Sequence, residues 1–182
     1  MQSMSDIIER DILVKNEAET CILASEVARW LRPGDVVTLQ GTLGVGKTSF
    51  SRACIRAMVG DKDLEVASPT FALVQTYEAE IGEIWHCDLY RLEQESEVLE
   101  LGIEDAFDYA VVLIEWPELS LPLLPKNKLE IIISSNDLAE SDVRHRGNHV
   151  VDGQESVMPS DRKISIRGYG RFVNVIDKEI GV

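Results

Sequence analysis

The sequence predicts an α/β fold, a mixed, mostly parallel central sheet flanked by helices, and three observations carry that reading. Gly41-Thr42-Leu43-Gly44-Val45-Gly46-Lys47-Thr48 fits the spacing G-x-x-x-x-G-K-[ST] and sits between a β-branched stretch, Asp35 to Gln40, and an amphipathic stretch, Ser49 to Val59. Ala110-Val-Val-Leu-Ile114 is a continuous apolar run, the pattern of a strand covered on both faces. The chain has 182 residues, 45% apolar and 27% charged, which suits one globular domain with a proper core.

Each element follows from local signals. Asn16 is expected to cap a first helix, with Glu19 as the reciprocal half of a capping box. Leu23, Val27, Trp30 and Leu31 share a face at helical spacing, and Pro33-Gly34 ends the helix. Asp35 to Gln40 is a strand. The helix from Ser49 to Val59 presents Phe50, Cys54, Ala57 and Met58 on one side, with Gly60 as its stop. Ser68-Pro-Thr-Phe71 makes a rigid turn into a strand from Ala72 to Tyr77. Glu83 to Leu89 is a second strand, antiparallel to it through a hairpin turn at Ile81-Gly82. Glu93 to Phe107 is helical, interrupted at Gly102, and Lys128 to Ser134 and Lys163 to Gly168 are further strands. Residues 135–161 are polar and long for a compact domain, which predicts a mobile loop or lid, and the C-terminal tail is expected to be irregular. Neither repeats nor a linker divide residues 1–182.

The loop residues carry a definite chemistry. Glycines let backbone N–H groups curl around phosphates, and a helix N-terminus adds partial positive charge. Lys47 would reach the β- and γ-phosphates, the Thr48 hydroxyl would ligate Mg²⁺, and Ser49 opens the helix behind them. A phosphate loop of this kind needs an acidic strand tip beside it. Glu115 follows the buried run directly and has the stronger warrant; Asp88, near the end of Glu83 to Leu89, is the other candidate. Thr70 is either a sensor of the γ-phosphate or a turn residue. Trp116 reads as a core or rim aromatic.

Charge limits the partners. Eighteen basic against thirty-two acidic residues give a formal net charge of −14, so the chain as a whole would repel a nucleic acid. Any such role is indirect, through a partner, or confined to a patch such as Arg144-His-Arg146. Cys21, Cys54 and Cys87 are odd in number and widely spaced, which suggests neither a disulfide framework nor a zinc site. The first ten residues lack the basic start and apolar core of a secretory signal, and no apolar run approaches the ~20 residues that span a bilayer. A cytoplasmic protein with no membrane contact, monomeric on its own, is the expectation.

Four segments in order carry a resemblance: the loop Gly41 to Thr48, then Ser68-Pro-Thr-Phe71, then His86-Cys-Asp-Leu-Tyr-Arg-Leu92, then Ile114-Glu-Trp-Pro-Glu118. Together they resemble the TsaE (YjeE) family of small bacterial ATPases, over roughly Glu19 to Ser134. The resemblance implies a single P-loop ATPase domain with ATP and Mg²⁺ as cofactors. It implies a role in making threonylcarbamoyladenosine on tRNA, as the nucleotide-controlled partner of a TsaB–TsaD heterodimer. Thr48 and Glu115 would serve the magnesium, Lys47 the phosphates and Asp88 the metal or a water. Gly41, Thr42, Leu43, Gly44, Val45, Gly46, Lys47, Thr48, Ser49 and Thr70 would contact the nucleotide. Ser68 to Phe71 would be the nucleotide-sensing switch, and Thr20 would lie near the base. The tRNA would be held by the partners, in keeping with the acidic charge.

The chain departs from that pattern at Thr42, where such loops usually carry Asp, at Ala24, where a Gly is common, and over 135–161, which has no clear counterpart. A small-molecule kinase is the alternative, with 135–161 as its lid and Arg144 or Arg146 clamping phosphates. A GTPase is a third reading, since Asn127-Lys128-Leu-Glu130 is superficially like N-K-x-D. There Glu replaces Asp, and Asp88 to Arg91 lacks a switch glycine, so ATP is favoured. No arginine is assigned to the γ-phosphate, with Arg91 and Arg144 the only candidates, which implies slow hydrolysis until a partner docks.

Overall fold

The computed structural model describes residues 7–135 and 161–180. Its strands are β1 (Ile7–Val14), β2 (Val36–Gln40), β3 (Val74–Ala79), β4 (Gly82–Asp88), β5 (Val111–Glu115), β6 (Lys128–Ser135) and β7 (Arg162–Tyr169). The helices are α1 (Glu17–Ala28), α2 (Lys47–Val59), α3 (Glu95–Glu100), α4 (Ile103–Ala106) and α5 (Arg171–Glu179), with a 3₁₀ segment at Pro117–Leu123.

One sheet holds all seven strands in the order β1-β7-β6-β2-β5-β4-β3. β2 pairs in parallel with β5 and β6, and β5 with β4; β3, β7 and β1 join antiparallel to β4, β6 and β7 respectively. β1 therefore runs the same way as the four central strands, and the sheet is mixed but mostly parallel, as expected. Its centre explains the apolar run. Alternate residues of a strand point to opposite faces, and both faces of β5 are covered. Val111 and Leu113 join Val37, Leu39, Val27, Phe50 and Cys54 in one core, while Val112 and Ile114 join Val36, Cys87, Val98 and Ile103 in the other.

Local signals held with small shifts. The Asn16 carboxamide accepts the Glu19 N–H at 2.9 Å, but the Glu19 carboxylate takes the N–H of Lys15, not of Asn16. The buried side of α1 is Thr20, Ala24, Val27 and Ala28, with Leu31 beyond it; Leu23 and Trp30 pack at its margin. On α2 Phe50 and Cys54 are buried with Ala53 and Ile55, whereas Ala57 is exposed. β3 starts at Val74, two residues later than expected, because Leu73 takes a left-handed conformation (φ 64°). The hairpin turn is Glu80-Ile81, with Ala79 opposite Gly82. A left-handed Gly102 (φ 66°) separates α3 from α4.

Besides the 3₁₀ segment at Pro117–Leu123, two elements were not anticipated. β1 lies at the sheet edge, where its charged residues pair with the neighbouring strand: Glu9 with Arg167 at 3.0 Å and Asp11 with Lys163 at 2.7 Å. The tail expected to be irregular is α5, which buries Phe172 and Ile176 completely. Gly168 of β7 permits that approach, since a Cβ there would sit 2.6 Å from Ile176 Cδ1. The start of α5 is tied to the start of β2 by Arg171, which pairs with the buried Asp35 and donates to the Trp30 carbonyl at 2.9 Å. The proposed lid lies almost wholly outside the described residues, as do Arg144 and Arg146. No helix among the described residues is long and apolar enough to cross a membrane.

If α5 belongs to the core, Phe172→Ala should cost about 3–5 kcal/mol of stability, as large aromatic truncations in packed cores do. Denaturant unfolding checks this, and a loss under about 1 kcal/mol would mean the helix is only loosely attached.

Candidate nucleotide-binding site

The loop leaves β2 at the carboxyl end of the parallel strands, where an open α/β sheet offers its crevice. Backbone geometry dictates its glycines. Gly41 (φ 142°) has no room for a side chain, because a Cβ would lie 2.3 Å from the Ile133 carbonyl oxygen on β6. Gly46 (φ 119°) precedes α2 and supplies no capping side chain, which leaves the first N–H groups of that helix for an anion. The Val45 side chain is turned into the core, so Val45 can serve a ligand only through its backbone. The side chain of Arg162 passes close to Gly46, its Nε 3.6 Å from where a Cβ would stand.

Lys47 is buried, and its ammonium donates to the carbonyls of Gly41 at 2.7 Å and Thr42 at 2.9 Å. It also lies 3.8 Å from the centre of the Trp116 ring. Desolvation holds its pKa below the usual lysine range, against the opposing pull of Glu115, Asp88 and Glu118. A charge stripped of water in this way gains most from an incoming phosphate.

Glu115 ends β5 as a buried carboxylate supplied by three donors. Thr48 Oγ1 donates to Oε2 at 2.8 Å, and Ser51 Oγ donates to Oε1 at 3.1 Å. His86 Nε2 lies 2.8 Å from the same Oε1. In the parallel register Asp88 of β4 stands directly beside Glu115. One oxygen of Asp88 accepts from Thr70 at 2.7 Å and from Ser68 at 3.2 Å, while the other takes the Tyr90 N–H at 3.1 Å. The two strand tips thus hold two different segments, Glu115 the start of α2 and Asp88 the Ser68–Phe71 turn. Trp116, in a left-handed conformation (φ 56°), packs against Tyr90 in a tilted ring pair with centroids 4.7 Å apart and covers Lys47.

These groups enclose a cleft of about 200 Å³. Leu43, Gly44, Gly46, Lys47, Thr48 and Ser49 line one side, and Ser68, Thr70, Asp88, Glu115 and Trp116 the other. Gly41 and Thr42 shape the loop from outside that lining. Thr20 does not reach the cleft; its hydroxyl donates to the Asn16 carbonyl within α1 at 3.2 Å. Ser49 does link the loop to α1, through Glu17 at 2.8 Å. Asn127 and Lys128 lie at the opposite end of the sheet, where Lys128 pairs with Val36 at the start of β2, so they cannot read a base held at this loop. Arg91 sits over the Phe71 ring at 5.1 Å, outside the lining.

No group of three or more His, Cys, Asp or Glu side chains forms a metal cage among the described residues. The oxygens of Thr48, Asp88 and Glu115 nevertheless fit Mg²⁺, which takes one or two carboxylates together with phosphates and water. Reading the sequence by residue type missed His86 and Ser51. Ser51 lies one helical turn after Lys47 and His86 two strand residues before Asp88, spacings that put each beside a recognised group.

Comparison with known proteins gives a consistent picture. The family described as "Threonylcarbamoyl adenosine biosynthesis protein TsaE" matches residues 14–145. A tRNA threonylcarbamoyladenosine biosynthesis protein TsaE from Rickettsia conorii is 40% identical over 143 residues, 79% of this chain and 81% of the relative. Its counterpart from Bacillus subtilis is 39% identical over 119 residues, 65% of this chain and 73% of the relative. The crystal structure of Bacillus subtilis YdiB superposes with a TM-score of 0.68, covering 96% of this chain and 95% of that one; at 24% identity it supports the fold.

The Thr48–Glu115 bond can be measured without a ligand. A double-mutant cycle of Thr48→Val and Glu115→Ala should give a coupling of roughly 1–2 kcal/mol in unfolding free energy, and zero coupling would mean that the bond contributes nothing.

Proposed function

The chain belongs to the TsaE family of tRNA threonylcarbamoyladenosine biosynthesis proteins, and from that premise we propose that it is an Mg²⁺-dependent ATPase that partners a TsaB–TsaD heterodimer. The observation that carries this reading is the pair of strand-tip carboxylates at one phosphate loop, Glu115 bonded to Thr48 and Asp88 bonded to Thr70. ATP would bind with its phosphates against the loop amides and the N-terminus of α2. Lys47 would give up the carbonyls of Gly41 and Thr42 for the β- and γ-phosphates.

Thr48 and Glu115 would hold Mg²⁺, with Asp88 serving the metal or an attacking water. The bound ion supplies charge to offset the phosphates as the terminal bond breaks. Ser68 and Thr70, both bonded to Asp88, would report the γ-phosphate, since gaining or losing it would change what their hydroxyls face. That makes Ser68 to Phe71 the switch read by the partner. The base would lie beyond the cleft on the α1 side, where Ser49 meets Glu17. Placing tRNA on the partners agrees with a net charge of −14, and the cytoplasm is the proposed setting.

Among the described residues lining the cleft, Lys47 is the one cation. An arginine at the γ-phosphate can be worth about 10³–10⁵ in turnover, so a cleft whose described lining holds none should be slow. The TsaB–TsaD pair should therefore stimulate hydrolysis, and docking should be tighter with a non-hydrolysable ATP analogue than with ADP. Equal docking in both nucleotides and no stimulation would reject the partner-controlled ATPase and favour a kinase.

Two substitutions separate binding from chemistry. Lys47→Ala should weaken ATP binding roughly tenfold to a hundredfold, the worth of one charge-assisted hydrogen bond. Glu115→Gln should still bind nucleotide and lose Mg²⁺-dependent turnover. Isothermal titration and phosphate release measure the two; normal turnover in Glu115→Gln would shift the metal role to Asp88.

A further inference from the structure

We propose that His86 is a positioning residue that, together with Ser51, fixes one oxygen of Glu115 and so aims the other at Thr48 and the cleft. The inference rests on the role given to Glu115 above. His86 is fully buried, in β4, with Leu113 and Gln75 as its neighbours in the flanking strands. Its Nε2 and the Ser51 hydroxyl both meet Oε1 of Glu115, at 2.8 and 3.1 Å, while Thr48 meets Oε2 at 2.8 Å. A carboxylate only accepts hydrogen bonds, so the ring proton in this contact sits on Nε2.

The other ring nitrogen makes the case. His86 Nδ1 is buried and has no hydrogen-bond partner among the described residues. A stranded polar atom in a core counts against stability, and an aliphatic side chain would fill the same space without it. Packing alone therefore does not account for a histidine here; the Nε2–H bond to Glu115 does. Glutamate has three side-chain torsions, and its carboxylate would otherwise be held on Oε1 by Ser51 alone. A ring locked between two strands holds that oxygen at a fixed place, the way outer partners orient metal-binding groups.

The test compares His86→Leu, His86→Gln and Glu115→Gln. Thermal unfolding is measured without ligand, ADP affinity is measured with and without Mg²⁺, and steady-state hydrolysis gives kcat and KM. His86→Leu should unfold at a somewhat lower temperature, because it takes a donor from the buried Glu115 carboxylate even as it removes the stranded nitrogen, and His86→Gln should restore that temperature. Its ADP affinity without Mg²⁺ should be unchanged, while the gain in affinity from Mg²⁺ and kcat fall about tenfold or more at similar KM. His86→Gln, whose amide N–H can take the place of Nε2–H, should recover most of both. A wild-type kcat and Mg²⁺ gain in His86→Leu would overturn the inference. So would a lower unfolding temperature with losses that His86→Gln does not restore, since that marks a purely structural role. If Glu115→Gln is inactive while His86→Leu is normal, only the role of His86 fails. If Glu115→Gln itself behaves as wild type, the reading of Glu115 fails and takes the inference with it.

Discussion

Glu115 is a carboxylate with 1% of its surface exposed, and such a group is tolerated only when its oxygens are satisfied. Three donors from two elements meet that need: Thr48 and Ser51 from the first turns of α2, and His86 from β4. The same bonds therefore fix the helix that follows the phosphate loop against the tips of two parallel strands. Asp88 owes its place to this frame, because the register between β4 and β5 sets it beside Glu115. From there it gathers Ser68 and Thr70 onto the wall that faces the phosphate loop.

The loop is constrained from its other side as well. Gly41 passes so close to the Ile133 carbonyl that only glycine fits, which seats the loop against β6, while Thr48 ties it to the end of β5. Between these anchors, free helix N–H groups and a desolvated Lys47 form a local anion site in a chain of net charge −14. The two charge scales do not conflict. The loop works over a few ångströms with little intervening water, whereas the surface acts over a Debye length and repels a polyanion.

Local chemistry made much of this legible in the sequence. The loop spacing, its flanking strand and helix, the buried run before Glu115 and the glycine break at Gly102 are all short-range signals. Distant pairing hid the rest. β1 carries Glu9, Arg10 and Asp11, which read as polar until β7, some 150 residues away, supplies Arg167 and Lys163. α5 does show helical spacing at Phe172, Val175 and Ile176, but its burial depends on the missing side chain at Gly168 in another element. Ala57 was placed on the buried face by period alone, and the tertiary packing turns Ala53 and Ile55 inward instead. At the site, residue type picked out Glu115 and Asp88, whereas His86 and Ser51 acquire meaning only once the register brings them to the same carboxylate.

The account turns on whether the Ser68–Phe71 segment, bonded to Asp88, answers to the γ-phosphate. Amide hydrogen exchange across residues 66–73 with Mg²⁺ and either ADP or a non-hydrolysable ATP analogue measures this directly. The account predicts clearly slower exchange with the triphosphate than with the diphosphate, and equal protection in the two states would contradict it.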